Sequence, residues 1–530
     1  MSASREKKIR QELAAQGIPD IKAIRAEEER KQQRRSNILY GSIAAIFVLV
    51  AAALVIWNSN IIQRSSIALS VDGEKYTAAE VEYFYNSAYN SVASSDYAAY
   101  MSLNTSVSPK QQKITEMDLM FLGITLPEGK EEMTWHEYFM DSAKQTLISQ
   151  TAVVKAAKAE GFTFTEEMEA ELQATFDTID LYAKNTGVSS SAYIKNMFGP
   201  NMTAKTFEKL LRNAILVSYF QEAHYNEPSY ALSDLEEHYN ENKNTFDTSS
   251  YEYVYFKGTA PSKTDADGKT VAATDEENAA AKAKAEAAAK DALARYQAGE
   301  SLEDIAKDYK DIASYYKQEQ GSYSTSVVQT WVYDEARVAG DKALLSNDTA
   351  YYVAGFFSRS RNDYLPVNVR HILVKVDTSS LDSKAENYDE LLKVLTEAAQ
   401  ADAQSILDEW KAGAKTAESF AELAKKYSSD TGSNANGGLY SNVAKGDMVP
   451  EFDAWIYDES RKVGDTDIIF VDEEGYYTGY HVMYFDGFGE TPYWQLEVEK
   501  AIRNADYSEW YASLTTDLTA EEHSGIKYVG

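Results

Sequence analysis

His371 and His481 are two of only six histidines in 530 residues, and each sits in a short strand-like run. The runs are Val369-Arg370-His371-Ile372-Leu373-Val374 and Thr478-Gly479-Tyr480-His481-Val482. Between them come Tyr427-Ser428-Ser429-Asp430, the doublet Gly437-Gly438, then Leu439, Met448 and Phe452. Two imidazoles beside a carboxylate can exchange hydrogen bonds and fix each other's tautomers. A methionine and a phenylalanine nearby can enclose a small apolar ring, one side chain adaptable and the other rigid. Taken singly, each residue has a plainer role: His371 as a satisfied core histidine, Asp430 as a turn residue, Met448 and Phe452 as core. Their order along the chain is what carries chemical meaning. Other chemistries lack their residues. Cysteine is absent, which removes thiol nucleophiles, thiolate metal sites and disulfides. No Gly-x-Ser-x-Gly, His-Glu-x-x-His or phosphate-cradling glycine loop occurs.

A chain of this length holds about three domains at ~100–200 residues each. The formal charge of −31 is unevenly spread: residues 1–37 hold ten Lys/Arg and six Asp/Glu, leaving 42 basic and 77 acidic residues for the remainder. A surface so acidic repels nucleic acid, and no nucleic-acid partner is expected. From Ile38 to Trp57 runs an uncharged apolar stretch with Tyr40 and Trp57 near its ends. Twenty residues at 1.5 Å each span a hydrocarbon core of about 30 Å. Arg25, Arg30, Lys31, Arg34 and Arg35 precede the stretch, and Arg64 is the one basic residue soon after it. The positive-inside rule then gives a signal anchor: 1–37 a cytoplasmic tail, 38–57 a single-pass transmembrane helix, and the bulk of the chain outside the cytoplasm.

The exported part opens with a hairpin over 67–77 around Asp72-Gly73, with Thr77 placed to cap a helix. Helical patterns dominate from 66 to 245. Trp135 to Ala159 is one expected helix. Phe207, Leu210, Leu211, Ala214 and Ile215 form a stripe on another, which follows the breaker Gly199-Pro200-Asn201. Asn278 to Gln297 is rich in strong helix formers.

An internal repeat sets the architecture. Trp331-Val-Tyr-Asp-Glu-Ala-Arg-Val-Ala-Gly-Asp341 matches Trp455-Ile-Tyr-Asp-Glu-Ser-Arg-Lys-Val-Gly-Asp465, and Tyr251 to Lys257 parallels Val369 to Lys375. Copy one occupies 250–363 and copy two 367–488. In copy one Tyr253 stands where His371 does, Phe356 or Phe357 stands near the place of His481, and the remaining set is missing. Copy one should therefore fold alike without catalysing. Residues 491–530 include one more helix, Tyr493 to Leu514, expected to fold back on and complete the helical module, since a lone helix is marginal in water.

Copy two resembles the parvulin (PpiC-type) peptidyl-prolyl isomerases. That resemblance implies a small antiparallel sheet wrapped by helices, and an α+β multidomain chain with two tandem parvulin-like domains, the first degenerate. It also implies site roles. His371 and His481 would lie side by side beneath the site, with Asp430 and Thr478 beside them as the catalytic group. Leu439, Met448 and Phe452 would bind the proline ring. No cofactor and no metal are implied. Two departures stand out: Gly438-Leu439-Tyr440 lacks the family's acidic residue and following glycine, and Tyr440 would crowd the pocket mouth. The acidic insertion Asp377 to Ala401 argues against phosphoserine-proline selectivity.

The whole layout resembles the membrane-anchored exported foldases of the PrsA and PpiD type, with a SurA-like helical chaperone module. This implies a non-covalent X-Pro isomerase and chaperone for unfolded or newly secreted polypeptides, tethered through 38–57, with a homodimer left open. The alternative is a holdase or membrane scaffold whose parvulin fold only binds.

Overall fold

The computed structural model describes residues 31, 42–51, 60–264, 269–379, 381–382, 384–473 and 477–530. Residues 42–51 are helical and exposed. The rest of the expected span 38–57, and all of the expected tail 1–37 except residue 31, lie outside the described residues. Among the described residues no helix is long and apolar enough to cross a membrane.

The chain divides into two compact units, one reaching to Pro228 and including Asp506–Gly530, the other Ser229–Ala505. The first unit begins with strands β1 (Ile67–Val71) and β2 (Glu74–Thr77). Asp72 and Gly73 both take positive φ, 46° and 81°, as a two-residue hairpin turn of the right twist requires. Thr77 then caps the helix Ala78–Ala93: its backbone amide donates to Glu80 Oε2 at 2.7 Å and its hydroxyl accepts from the Glu80 amide. A third strand, Ala520–Glu522, pairs with β1, so the C-terminal segment returns to this unit. The helix Trp135–Ala159 forms over the expected span, and its Trp135, Phe139 and Leu147 join Phe207 and Leu210 in the core.

Helix Leu232–Glu241 belongs to the second unit, because Leu235 and Tyr239 are buried against Trp494 and Val498. The helix Tyr493–Thr515 serves both units: its first half makes that contact, while Trp510, Tyr511 and Leu514 pack on Val153, Ala157 and Phe220.

The second unit holds two four-stranded antiparallel sheets. Copy one uses β3 (Asp247–Lys257), β4 (Ala313–Gly321), β5 (Lys342–Ser346) and β6 (Ala350–Arg361) in the order β4-β3-β6-β5. Copy two uses β7 (Val367–Lys375), β8 (Leu439–Val443), β9 (Thr466–Glu473) and β10 (Tyr477–Phe488) in the order β8-β7-β10-β9. Each copy places two helices between its first and second strands, Asp275–Gln297 and Leu302–Asp308 or Tyr388–Ala412 and Ala417–Tyr427. Each places a short helix between its second and third, Val327–Val332 or Pro450–Ile456. The two copies thus share connectivity and strand order.

The sheet of copy two is buried on both faces. Ile372, Tyr480, Val482 and Tyr484 meet the two longer helices. Val367, Val369, Met483 and Phe485 meet Phe452, Trp455 and Ile456 of the short helix. Strand periodicity of two thus sorts every side chain of β7 and β10 onto one face or the other.

Candidate functional site

His371 and His481 fall on the short-helix face. In the register of β7 and β10, His371 opposes Met483 and Leu373 opposes His481, so the two imidazoles are diagonal neighbours. Their rings stack at 5.0 Å with planes 17° apart, and each residue is 4% exposed. Phe452 presents T-shaped contacts to both, at 5.5 and 5.6 Å. Met448 and Tyr440 pack on the same cluster.

The carboxylate is delivered by a loop stitched to β7. Ser428 Oγ accepts from the Leu373 amide at 3.1 Å and from the Asp430 amide at 3.2 Å, while the Ser429 amide donates to Leu373 O at 2.8 Å. Asp430 Oδ2 then lies 2.8 Å from His371 Nε2. The hydroxyls of Ser433 and, at 3.0 Å, of Tyr440 donate to the same oxygen, and the Gly432 amide donates to Oδ1 at 3.1 Å.

These bonds fix the proton between His371 and Asp430. The His371 Nε2–H above all, then the Ser433 hydroxyl and the Gly432 amide, hold the Asp430 carboxyl well below its usual range against a smaller opposing effect of burial. Asp430 is therefore an anion and only accepts, so His371 Nε2 carries the proton between them. His371 Nδ1 and His481 Nδ1 lie 2.9 Å apart, so one of the two carries a proton and the other accepts it. The other His481 nitrogen, Nε2, lies 3.0 Å from the Tyr477 hydroxyl. A continuous hydrogen-bonded chain results, joining Tyr477, His481, His371 and Asp430.

Burial, and then the neighbouring His371, pull His481 down to about 3. An unfolded histidine titrates near ~6.5. Between those two values the unfolded state binds one proton more, so stability rises with pH by up to about 1.4 kcal/mol per pH unit. Asp430, lowered from 3.8, acts in the same direction at the acid end. The unfolding midpoint should therefore fall steadily as pH drops from 7 to 4, and His481→Gln should flatten that slope. Thermal unfolding across a pH series checks both.

Two expected site residues lie elsewhere. Thr478 is three residues from His481, which on a strand places it on the opposite face; its hydroxyl donates to Asp472 at 2.6 Å and not to the histidine chain. Tyr477, four residues away, holds the position beside His481 instead. Leu439 pairs with Arg370, on the face of the longer helices, whereas Tyr440 pairs with Val369 on the site face. Thr478→Ala and Leu439→Ala should each leave peptide turnover within about twofold of the parent, as surface and off-face changes rarely exceed ~0.5 kcal/mol. Copy one needs a correction too. Tyr253 opposes Ala354 and Tyr255 opposes Tyr352, so Tyr352, not Phe356 or Phe357, takes the place of His481. Among the described residues no group of three or more His, Asp or Glu could hold a metal ion.

This arrangement of residues coincides with a known domain. Residues 371–487 match the rotamase family model, the PPIC-type PPIase domain. This region is a parvulin-type peptidyl-prolyl isomerase domain. Over 88 residues the chain is 40% identical to the chaperone SurA of Pseudomonas fluorescens, a match spanning 17% of this chain and 16% of that protein. Similar solved structures include PrsA from Bacillus subtilis, at 13% identity and TM-score 0.29 over 73% of this chain and 89% of that one. Foldase protein PrsA from Streptococcus pneumoniae is another, at 14% identity and TM-score 0.22 over 74% and 90%.

Proposed function

We propose that the chain is an extracytoplasmic foldase that isomerises X-Pro bonds in unfolded, newly exported polypeptides while tethered to the membrane through Ile38–Trp57. The observation that carries the catalytic part is the hydrogen-bonded chain linking Tyr477, His481, His371 and Asp430 beside Phe452, Met448 and Tyr440. A prolyl amide resists rotation by ~18–20 kcal/mol because resonance gives its C–N bond double-bond character. Rotation undoes that resonance: negative charge leaves the carbonyl oxygen and the lone pair returns to nitrogen. A fixed anion at Asp430 disfavours the charge-separated planar form, and the low dielectric beside Phe452 favours the less polar twisted one. His371 and His481 hold that anion in place and need neither gain nor lose a proton.

The anchor rests on the uncharged run and the basic residues before it. The client class rests on the domain's reaction, and a helical unit in the same chain fits chaperone work. Isomerisation of a short Ala-Pro peptide by the full chain tests the proposal. A rate indistinguishable from the uncatalysed one, with client aggregation still suppressed, would establish the holdase reading in its place.

One observation favours that second reading. The Tyr440 ring lies 5.4 Å from that of His371 and its hydroxyl is engaged with Asp430, so it occupies space beside the histidines. Tyr440→Leu should raise kcat/KM for the peptide about three- to tenfold if this ring limits access. A fall in kcat/KM would instead make its hydroxyl part of the machinery.

A further inference from the structure

The face of copy one that corresponds to the catalytic face of copy two is paved with tyrosine. Tyr251, Tyr253 and Tyr255 alternate along β3 and so share one face. Tyr316 on β4 opposes Tyr253, and Tyr352 on β6 opposes Tyr255. Register places Tyr253 where copy two has His371, Tyr352 where it has His481, and Tyr316 where Gly438 adjoins His371. The rings form a continuous surface. Tyr253 stacks on Tyr316 at 4.9 Å and on Tyr251 at 6.3 Å, both with planes 18° apart, while Tyr352 lies 5.6 Å from Tyr255 and 6.2 Å from Tyr253. They line a groove of about 460 Å³ together with Gln329 and other uncharged residues.

Three features of this groove specify a ligand. It holds no charged side chain, in a chain of net charge −31. Its walls are aromatic faces, and Tyr316 is 44% exposed. The hydroxyls of Tyr253, Tyr255 and Tyr316 have no hydrogen-bond partner among the described residues, whereas Tyr251 accepts from Gln329 and Tyr352 from Asn347. The surface therefore offers flat apolar area with unused O–H donors along it. A proline-rich segment is the complement: its rings are apolar and uncharged, and its backbone has carbonyl acceptors but no N–H at each proline. In the polyproline II form it is extended and largely pre-organised, which lowers the entropy lost on docking to aromatic-lined grooves.

We propose that the tyrosine groove of copy one is a non-catalytic docking site for proline-rich, extended segments of client polypeptide. It retains the substrate class of copy two and drops the reaction, since the histidine chain is replaced by phenols. A client held here would present its next X-Pro bond at raised local concentration. The binding step stands independently of whether copy two catalyses.

Fluorescence anisotropy of a labelled decaproline titrated with the full chain in mild detergent tests this, with a Gly-Ser decamer as control. Decaproline should bind at least tenfold more tightly than the control. Tyr316→Ala should weaken it at least fivefold, Tyr253→Phe, which keeps the ring and removes one donor, at least twofold, and Phe452→Ala in copy two less than twofold. Turnover of the short Ala-Pro peptide, measured in the same samples, should be unchanged by the two tyrosine substitutions; this separates failure of docking from failure of catalysis. Unchanged affinity in both tyrosine variants overturns the proposal. So does a proline-free tyrosine-rich decamer that binds more tightly than decaproline, or a self-association that Tyr316→Ala abolishes, which would make a second copy the occupant.

Discussion

His371→Ala should lower kcat/KM for a short Ala-Pro peptide by about 10²-fold, equivalent to ~2.7 kcal/mol of transition-state stabilisation. The imidazole is the central member of the chain. It donates to Asp430 Oδ2 at 2.8 Å and shares a 2.9 Å bond with His481 Nδ1, so its removal leaves a buried nitrogen without a partner and takes one donor from the carboxylate. Ser433, Tyr440 and Gly432 still hold Asp430, but its largest stabilising contact is gone and the carboxyl returns toward its ordinary range. A hydrogen bond to a charged group contributes ~1.5–3 kcal/mol, and an orphaned buried donor or acceptor costs ~1–3 kcal/mol. The urea midpoint should therefore fall as well. The kinetic effect is separable: at urea concentrations where both proteins are folded, kcat should account for most of the loss. His371→Asn restores a short donor and should recover part of the stability with little of the rate. A His371→Ala protein with turnover within twofold of the parent would rule out the histidine chain as the catalytic element.

Much of this site could be read along the chain, because the order of His371, Asp430, Gly437-Gly438, Met448, Phe452 and His481 is itself a pattern. The repeat around Trp331 and Trp455 disclosed the duplicated topology, and Thr77, Trp135 and Ala159 marked helix limits that the structure reproduces. What failed was face. The resemblance to the family puts Thr478 and Leu439 in the site, but on a strand odd and even spacings point oppositely. The parity signal was available: Tyr477 at a spacing of four from His481 satisfies it and Thr478 at three does not. For Leu439 the deciding fact is which residue of β7 it opposes, and that register follows from the loop after Asp430. Ser433 left no trace in the sequence, since its bond to Asp430 arises from a turn. The division at Pro228 was equally hidden, because Leu235 and Tyr239 read as one more amphipathic helix until their partner Trp494 is known.

Gly438→Ala should destabilise copy two by several kcal/mol, the largest stability effect expected of a single methyl group in this domain. Two costs combine. The backbone at Gly438 has φ of +72°, a left-handed conformation that costs a residue with a Cβ roughly 1–2 kcal/mol. Its position is also cramped: a Cβ there would meet the His371 carbonyl oxygen at 2.2 Å and the Ala424 Cβ at 3.0 Å. The first of these is backbone of β7 and cannot rotate away. Relief requires the β8 end of the loop to withdraw from β7, which breaks the bond from the His371 amide to Gly438 O, 2.9 Å long. Because His371 is the residue displaced, activity should fall with stability. Gly446 supplies the control within the same domain. Its φ is +85° and no atom lies within 4 Å of a Cβ built there, so Gly446→Ala meets the conformational cost alone. Urea unfolding should give about 1 kcal/mol for Gly446→Ala and at least ~3 kcal/mol for Gly438→Ala. Equal losses at the two positions would mean that the loop yields without disturbing β7, and that the close approach at Gly438 does not determine where His371 stands.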